Sequence, residues 1–587
     1  MTKEKGNFFD LKLFSKLMVY VKPYKKIFYF VMASAILLAS FSSLTPYLLK
    51  ITIDDYIRLK DYNGMVFLIG LMLIALLSEV VFQFLFVFFA NWLGQNVIRD
   101  LRVVLFQKIV GFKMAYFDQS AVGRLVTRAV NDIETIASIF SQGLFMIIAD
   151  LLKMTLVIVI MLIIDWELSL IVFSILPVIL YATRLFQKSM KSAFEEVRLQ
   201  VANLNSFIQE RITGMQIVQL FHREKIEFDH FVLINEKHKK AWLKTVWYNS
   251  IFFPIAEISS SITLGLLVWH GGLNVVAGGS ISMGTIFLFI QMSQMLFRPL
   301  RHIADKFNTL QMGMVAADRI IKIINTESQI SDHGNLDPKK IEGKITIKDL
   351  RFSYVADEEV IRGINLKIQP GEKIAIVGAT GAGKSTLINL LSRFYEFEKG
   401  KVFLDEQSIT DFKLQSLRKH VGIVLQDVFL FADTIYNNIT LYNPNVTQAM
   451  VNEAAQQIGV HKFIESLPGG YDYNVKERGV ILSSGQRQLI AFLRIYIANP
   501  SVLILDEATS SIDSHSEELI KNATLKITSN KTSILIAHRF STIKNADRIV
   551  VMDSGRIVEI GSHKELLNIK NGYYARLYKI QFLELAV

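Results

Sequence analysis

The sequence predicts a chain in two parts: an α-helical membrane domain with six spans, followed by an α/β domain with a phosphate-binding loop. Residues before about 325 contain apolar stretches long enough to cross a bilayer. A polar stretch, NTESQISDHGNLDPKKIEGK, follows and is typical of a linker. Beyond it, short apolar runs alternate with helical patterns, as in a mainly parallel sheet. The expected boundaries are 1–325 for the membrane domain, 326–340 for the linker and 341–587 for the α/β domain.

The composition and the placement of the basic residues exclude several classes of function. The 587-residue chain has no cysteine, so disulfides and thiolate metal sites play no part. Its formal charge of +11 suits either nucleic acid or an anionic membrane face. The basic residues are concentrated in two long segments between apolar stretches, about 95–140 and 188–247. Much of the positive charge therefore lies beside the membrane, which argues against a nucleic-acid partner.

Six apolar stretches reach the length of about 20 residues that a membrane helix requires. Ahead of them, the first 25 residues lack the apolar core of a signal peptide, and part of this segment is expected to form a short helix at the membrane surface. By the positive-inside rule, the two long basic segments and both termini are cytoplasmic, as in a multi-pass protein of the cytoplasmic membrane. The predicted spans are 27–50, 65–94, 141–164, 167–187, 248–272 and 283–305.

Four ionisable residues inside these spans are candidates for the lining of a substrate cavity: Glu79, Asp150, Lys153 and Glu257. Counted inward from the outer ends of the spans, they lie about 11 to 14 residues deep, or roughly 16–21 Å at ~1.5 Å per residue. Charged residues inside a membrane usually face a bundle interior or a water-filled cavity, where a transported compound would meet them. Two alternatives stay open: Asp150 and Lys153 neutralise each other at i and i+3, or all four serve helix packing.

A glycine-rich loop between a buried strand and a helix is the strongest single motif. The stretch GATGAGKST fits the P-loop pattern G-x(4)-G-K-[ST]. Its backbone N–H groups can cradle nucleotide phosphates only where no Cβ intrudes, which explains Gly378, Gly381 and Gly383. Lys384 is expected to reach the β- and γ-phosphates, and the Ser385 hydroxyl to bind Mg²⁺. The predicted phosphate-binding residues are Gly378, Ala379, Thr380, Gly381, Ala382, Gly383, Lys384, Ser385 and Thr386.

Polar residues follow four apolar runs that are typical of strands in one sheet. These runs end at Gly378, Gln426, Glu507 and His538. Because ligands of open α/β sheets bind beyond the carboxyl ends of the strands, the four ends predict one site. Gln426 is expected to orient water or Mg²⁺, and His538 to lie beside the γ-phosphate. For each of these two residues, an ordinary structural position is the alternative.

The run SVLILDEATS supplies two carboxylates at the end of its strand. Asp506 suits the binding of Mg²⁺, and Glu507 lies one residue nearer to the water that would attack phosphorus. A carboxylate at that place can orient or deprotonate the water. Tyr354, in RFSY ahead of the P-loop strand, is expected to stack on adenine. Together these residues predict a site that hydrolyses a nucleotide.

Five motifs, in this order, resemble the nucleotide-binding domain of an ATP-binding-cassette (ABC) transporter: GATGAGKST, VGIVLQD, LSSGQRQ, LILDEATSSID and IAHR. The resemblance covers nearly the whole chain, because 116–136 and 214–225 are similar to the two intracellular loops of the exporter type. It implies a P-loop (RecA-like) ATPase domain with a helical subdomain, which binds ATP and Mg²⁺ and drives export. It gives Tyr354 the role of stacking on adenine and Gln426 that of the coupling glutamine.

Half-transporters of this family work as dimers, in which ATP is clamped between the P-loop of one chain and the signature loop of the other. The resemblance assigns the signature to Leu482–Gln486, the catalytic glutamate to Glu507 and the switch histidine to His538. It also assigns a contact across the dimer to Asp513. The signature residues expected at the partner's ATP are Ser483, Ser484, Gly485 and Gln486.

The signature departs from the family pattern LSGGQ at its third position, where this chain has Ser484. Serine adds a Cβ and a hydroxyl where the backbone approaches phosphate, at an expected cost of about 0.5–2 kcal/mol through strain or steric crowding. Within the family, a modified signature beside an intact catalytic glutamate resembles one subunit of a heterodimer. The partner would then be a different half-transporter, and a homodimer that tolerates serine is the alternative.

The resemblance and the residues together predict ATP-driven efflux of amphipathic or hydrophobic compounds, of the multidrug type, across the cytoplasmic membrane. A lipid or glycolipid flippase is the second interpretation, and a gated channel or regulator is a remote third. The presence of Glu507 and of the coupling elements argues against the channel. The expected partners are a second half-transporter, membrane lipids and a small amphipathic substrate, with no nucleic acid.

Overall fold

The computed structural model describes residues 11–329, 332–355, 357–397, 399–506, 514–536 and 543–579. Contacts between residues divide the chain into two compact units. The first consists of Met1–Gly111 and Ser120–Glu327, and the second of Phe112–Gln119 and Ser328–Val587. An eight-residue segment of the first predicted intracellular loop therefore belongs with the second unit.

Long helices make up the first unit. Up to the first predicted intracellular loop, its described elements are α1 (Leu11–Met18), a 3-10 helix (Val19–Tyr24), α2 (Lys25–Ile51), a π-helical segment (Thr52–Ile57) and α3 (Tyr62–Val110). The short helix α4 (Met114–Gln119), which follows in the chain, belongs to the second unit. The first unit continues with α5 (Val122–Thr127), a π-helical segment (Arg128–Asp132), α6 (Ile133–Ser138), a π-helical segment (Ile139–Leu144), α7 (Phe145–Ile164), α8 (Trp166–Thr213), α9 (Met215–Leu220), α10 (Glu224–Val276) and α11 (Met283–Ile324).

Among the described residues, five helical stretches are long and apolar enough to cross a membrane, and each contains one predicted span. Most continue well past the apolar part, because polar sequence extends the same helix. The sixth predicted span, 283–305, falls within α11, which is not among the five and whose apolar part is interrupted by Gln291, Gln294 and Arg298. A sixth span stays a prediction. The five stretches are Leu13–Ile57, Tyr62–Val110, Val122–Ile164, Trp166–Thr213 and Glu224–Val276.

Polar residues cap the helices that begin at the outer ends of the second, fourth and sixth predicted spans. The Asp61 carboxylate accepts a hydrogen bond from Gly64 N at the start of α3 (3.1 Å), and Asp165 caps α8 in the same way. Ser282 Oγ accepts from Thr285 N at the start of α11 (3.1 Å). Each cap satisfies a backbone donor that a helix leaves open at its N-terminus, so these residues determine where the helices begin.

One carboxylate joins the end of the first long helix to the start of α11. Asp54 Oδ1 accepts a hydrogen bond from Gly284 N (2.8 Å), and its other oxygen accepts one from the Ser282 hydroxyl. A Cβ at Gly284 would lie 2.5 Å from the Lys50 carbonyl oxygen, so glycine is needed where the start of α11 packs against the end of α2. The predicted outer ends of the first and sixth spans are therefore held together.

The second unit contains two sheets. Its described strands are β1 (Ile345–Ser353), β2 (Glu359–Ile368), β3 (Lys373–Val377), β4 (Lys399–Leu404), β5 (Gln407–Ser408), β6 (Val421–Val424), β7 (Val502–Asp506), β8 (Thr532–Ile536), β9 (Arg548–Asp553) and β10 (Arg556–Gly561). One sheet is antiparallel with the order β2-β1-β4-β5, and the other has the order β10-β9-β3-β8-β7-β6. In the larger sheet only β10 pairs in antiparallel fashion within the described strands. This confirms the mainly parallel sheet predicted from the sequence.

Helices cover the larger sheet and build a second hydrophobic core. The described helices are α12 (Lys384–Leu391), α13 (Leu414–His420), α14 (Ile435–Thr440), α15 (Gln448–Ile458), α16 (His461–Glu465), α17 (Ser484–Ala498), α18 (Ser514–Ile527), α19 (His563–Leu567) and α20 (Tyr573–Tyr578). One core joins both sheets to α12 and α13. A second core contains α14, α15, α16, α17 and α18 together with apolar residues of β6, β7 and β8, and a third packs α19 and α20 on β3 and β9.

Candidate nucleotide-binding site

Local backbone geometry explains where the P-loop has glycine. The buried strand β3 leads into the loop, and α12 follows it. Gly381 (φ 83°) and Gly383 (φ 96°) have left-handed backbones, which residues with a Cβ adopt only at a cost. A Cβ at Gly378 would lie 2.2 Å from the Met552 carbonyl oxygen. The fold of the loop itself therefore requires these three glycines.

Lys384 is the buried cation of the loop, with 8% of its surface exposed. Its Nζ donates hydrogen bonds to the carbonyl oxygens of Gly378 (2.7 Å) and Ala379 (2.9 Å). Burial lowers the pKa of this ammonium group, and the charge of Asp506 opposes the shift. The amine thus lies inside the loop, near a carboxylate from another strand and at the start of α12, where the helix dipole favours an anion.

The remaining loop residues differ in exposure. The exposed ones are Ala379, Thr380, Gly381 and Ser385, and the buried ones are Gly378, Ala382, Gly383 and Thr386. Ser385 is therefore accessible from outside the loop, and the binding of Mg²⁺ by its hydroxyl stays a prediction.

Tyr354 lies beside the P-loop with 43% of its surface exposed. Its hydroxyl donates a hydrogen bond to Thr386 Oγ1 in α12 (3.3 Å). This bond holds one end of the tyrosine against the loop while much of the side chain stays accessible. Such a ring is suited to stacking on a nucleotide base.

Strand register brings the polar ends of neighbouring strands to one edge of the larger sheet. Asp506, the last residue of β7, is level with Ile536 of β8, and Ile536 is level with Ile376 of β3. The P-loop continues from β3 at this edge. Gln426 follows β6 by two residues and is exposed. With Ser385, these residues offer carboxylate, amide and hydroxyl oxygens, which are the ligand types that Mg²⁺ prefers.

Three predicted site residues lie outside the described residues: Glu507, Asp513 and His538. In the chain, Glu507 directly follows the last residue of β7, and His538 comes two positions after the last residue of β8. These strands are neighbours in the sheet. The roles of the three residues stay predictions.

The signature loop forms the start of α17. Ser483 caps this helix, because its Oγ accepts from Gln486 N (3.2 Å) while Gln486 Oε1 accepts from Ser483 N (2.9 Å). Ser484 is exposed and is the first helical residue, and Gly485 follows it in a buried position. The expectation of backbone strain at Ser484 is therefore wrong, because a helical backbone does not need glycine. Crowding against a partner's ATP stays a prediction.

The segment just before the signature loop has an unusual backbone. Lys476 has φ 59° and ψ −175°, a combination that is essentially restricted to glycine. Arg478 (φ 55°) is in the left-handed region as well. Both residues thus have a Cβ on a backbone conformation that favours glycine.

The structure places three of the four predicted intramembrane charges near one another. Lys153 of α7 is within electrostatic range of Glu79 of α3, Asp150 of its own helix and Arg298 of α11. Besides Lys153, Asp150 has a second cationic neighbour, because it forms an ion pair with Lys306 of α11. Packing between α7 and α11 brings this cation to Asp150 from a distant part of the chain.

Sequence reasoning missed Arg298 and Lys306. Arg298 is inside the sixth predicted span, and Lys306 lies one residue beyond its end. Both belong to the unbroken helix α11. Counting charges within the predicted span would have found Arg298, and counting over the whole helix would have found Lys306 as well. Glu257 lies on α10, and its expected depth in the membrane stays a prediction.

Comparison with known proteins identifies the family. A family model described as the ABC transporter transmembrane region matches residues 28–300, and one described as ABC transporter matches residues 361–510. The ABC transporter ATP-binding protein YknV of Bacillus subtilis (strain 168) is 34% identical over 577 residues, which cover 97% of this chain and 94% of that protein. The chain belongs to the ABC transporter family. It is an ATPase coupled to transport, with a helical membrane domain followed by an ABC nucleotide-binding domain.

Two further relatives of this ABC transporter have names that state an activity. The ATP-dependent lipid A-core flippase of Syntrophus aciditrophicus (strain SB) is 33% identical, with 98% of this chain and 95% of that protein covered. YgaD of Bacillus subtilis (strain 168), named as a multidrug export ATP-binding/permease protein, is 34% identical, with 96% of this chain and 99% of that protein covered. These relatives support ATP-driven export. ABC exporter half-transporters function as dimers.

Proposed function

We propose that this ABC transporter is one half of a dimeric exporter that moves amphipathic or hydrophobic compounds across the cytoplasmic membrane. The observation that carries the proposal is the sheet edge where Lys384 and Asp506 interact beside the exposed part of the P-loop. Lys384 supplies a cation for phosphate there, and Asp506 supplies a carboxylate for Mg²⁺. The same chain also has a transmembrane region. The ATPase domain and both termini would lie in the cytoplasm, by the positive-inside rule.

ATP would bind with its phosphates on the backbone of the P-loop and its adenine on Tyr354. Lys384 would exchange its hydrogen bonds to the Gly378 and Ala379 carbonyl oxygens for bonds to phosphate. Burial removes water from the charged amine and so disfavours its charged form. An anionic phosphate at this place would replace the lost interaction with water. Nucleotide binding therefore relieves an electrostatic cost in the loop.

The hydrolytic roles are divided among residues at the strand ends. We assign Mg²⁺ to Ser385, Gln426 and Asp506, and when bound it neutralises part of the charge on the phosphates. Glu507 would orient the attacking water and accept its proton, and His538 would hold the γ-phosphate. These assignments rest on the chain positions of the residues beyond β7 and β8.

Glu507→Gln tests the catalytic assignment in the assembled transporter. We expect ATP binding close to wild type and hydrolysis slower by about 10²-fold or more, because the water loses its orienting carboxylate. Equilibrium binding measures the first quantity and phosphate release the second. Lys384→Ala is the control, and it should weaken ATP binding itself. Near-normal turnover of the Glu507→Gln protein would show that another group activates the water.

We assign the second half of the dimer to a different half-transporter. Its signature loop would close on the ATP of this chain, while Ser483, Ser484, Gly485 and Gln486 close on the partner's ATP and Asp513 contacts across the dimer. A partner with the pattern LSGGQ and without a catalytic glutamate would complement Ser484. A homodimer is the alternative, and the unstrained backbone of Ser484 is compatible with both assemblies.

The intramembrane acids bear on the transported compound. If Glu79 and Glu257 face the cavity, Glu79→Gln and Glu257→Gln should reduce transport of a cationic dye more than that of a neutral dye of similar size. The reason is that the Coulomb attraction acts only on the charged dye and is strong where water is scarce. Both dyes are measured in the same proteoliposomes. Equal losses for the two dyes would assign these residues to helix packing.

A lipid flippase is the second candidate, and a specific observation favours it. Lys153 of α7 and Arg298 of α11 lie close enough to interact, and Lys306 of α11 is paired with Asp150, so that with Glu79 this group combines three cations with two acids. Such a cluster suits an anionic headgroup. An anionic fluorescent lipid, tested in the same proteoliposomes as the dyes, distinguishes the candidates, because a flippase should move it faster than either dye.

A further inference from the structure

Three aromatic rings pack edge to face beside the P-loop: Phe352, Tyr354 and Tyr395. The ring centroids of Tyr354 and Tyr395 are 5.1 Å apart, with an interplanar angle of 89°. Phe352 lies 4.8 Å from Tyr354 and 5.8 Å from Tyr395. Edge-to-face pairs depend on the mutual orientation of the rings, so a rotation of one ring alters the packing of the others. Tyr395 therefore helps to determine the orientation of Tyr354.

The hydroxyl of Tyr395 reaches the short helix α4. It donates a hydrogen bond to the carboxylate of Asp118, which is exposed. The residue before α4 is anchored separately in the second unit, because Lys113 N donates to the Ser328 carbonyl oxygen (2.7 Å). The hydrogen bond between Tyr395 and Asp118 is thus a surface contact, and the backbone bond between Lys113 and Ser328 attaches the segment around α4 independently of it.

The helix α4 lies in the chain between two helices of the first unit. The chain enters α4 from α3 and continues from it into α5, and both of these helices belong to the first unit. On one side, Tyr395 contacts the ring that we assign to adenine. On the other, it contacts a helix that is continuous in sequence with helices of the transmembrane region.

We propose that Tyr395 is a positioning residue that couples the adenine site to α4, so that affinity for the base depends on the hydrogen bond between Tyr395 and Asp118. This inference rests on the proposed stacking of adenine on Tyr354. Tyr395 acts through Tyr354, whose ring it holds at the angle that stacking requires. Because coupling between two sites is reciprocal, adenine bound at Tyr354 also stabilises α4 in its position. The base, and not only the phosphates, would then act on the helices joined to α4.

Equilibrium binding to the full-length chain in lipid nanodiscs tests the coupling. The two ligands are ATP and ribose 5-triphosphate, which has the phosphates but no base. We expect Tyr395→Phe and Asp118→Ala each to weaken ATP binding by about fivefold, within the range typical of coupled sites. Binding of ribose 5-triphosphate should change by less than about twofold, since the variants leave the P-loop intact. The double variant should bind ATP no more weakly than either single variant, because both remove the same bond.

Two controls make the result specific. Tyr442→Phe removes another tyrosine hydroxyl that donates to an exposed carboxylate, that of Asp433, and ATP binding should stay unchanged. Tyr354→Ala tests the stacking role itself. If Tyr354→Ala weakens ATP binding and Tyr395→Phe does not, the coupling is wrong while the adenine site stands. If Tyr354→Ala leaves ATP binding unchanged, the adenine assignment is wrong and the coupling fails with it. Equal losses for both ligands, or additive losses in the double variant, would also overturn the coupling.

Discussion

The P-loop and the signature loop are two segments that we assign to phosphate, and they depend on glycine in different ways. In the P-loop, Gly381 and Gly383 have left-handed backbones and Gly378 has no room for a Cβ. In the signature loop, Ser484 begins α17 with a helical backbone, under the cap made by Ser483. The fold of the P-loop therefore requires glycine at these three positions, whereas the fold of the signature loop makes no such demand at Ser484.

Lys476 shows the reverse situation a few residues earlier. Its backbone has the φ and ψ of a glycine, yet the residue carries a long side chain. Backbone of this type costs about 1–3 kcal/mol for a residue with a Cβ. Lys476 is therefore a residue of this region whose side chain costs stability because its backbone favours glycine. Ser484, which replaces the glycine of the family signature, has an unstrained backbone.

The largest effect is expected for Gly378→Ala. The new Cβ would lie 2.2 Å from the Met552 carbonyl oxygen, so one of the two backbones must move. We expect the free energy of unfolding of the second unit to fall by about 2–3 kcal/mol and ATP binding to be lost, because the cradle is deformed. Denaturant unfolding and equilibrium ATP binding measure the two effects.

Gly381→Ala is the matched control for that experiment. A Cβ there would meet no heavy atom of the described residues within 4 Å, which leaves only the backbone cost. That cost is about 1–2 kcal/mol for a left-handed residue. Equal destabilisation by the two alanine substitutions would mean that crowding by Met552 is not what requires glycine at 378.

A smaller effect of opposite sign is expected for Lys476→Gly. Relief of the backbone strain should exceed the entropy that glycine adds to the unfolded chain, so the free energy of unfolding should rise by about 1 kcal/mol. Lys476→Ala keeps the Cβ and removes the charge, and it should give no such gain. If the alanine and glycine variants were equally stabilised, the lysine side chain rather than the backbone would be the cause.

Short-range patterns predicted the P-loop and its strand because all of their determinants are adjacent in the sequence. Contacts between distant residues could not be predicted in this way. Asp150 and Lys306 are 156 positions apart, and Asp118 and Tyr395 are 277 apart. The strain expected at Ser484 was wrong for a related reason, since a residue type alone does not reveal the backbone that a neighbouring cap imposes. Apolar windows likewise located five spans but not the ends of helices such as α10, which has 53 residues.

The smallest effect is expected for Ser484→Gly, and this variant tests the central claim most directly. We claim that the serine costs nothing within its own chain and acts only at the partner's ATP, in a heterodimer whose active site uses Glu507. The measurement is ATP turnover of the assembled transporter, with subunit composition determined by native mass spectrometry. Turnover should change by less than about threefold, or roughly 0.7 kcal/mol, because the site containing Glu507 uses the partner's signature. A homodimer of this chain alone, with brisk turnover that the glycine clearly accelerates, would contradict the claim.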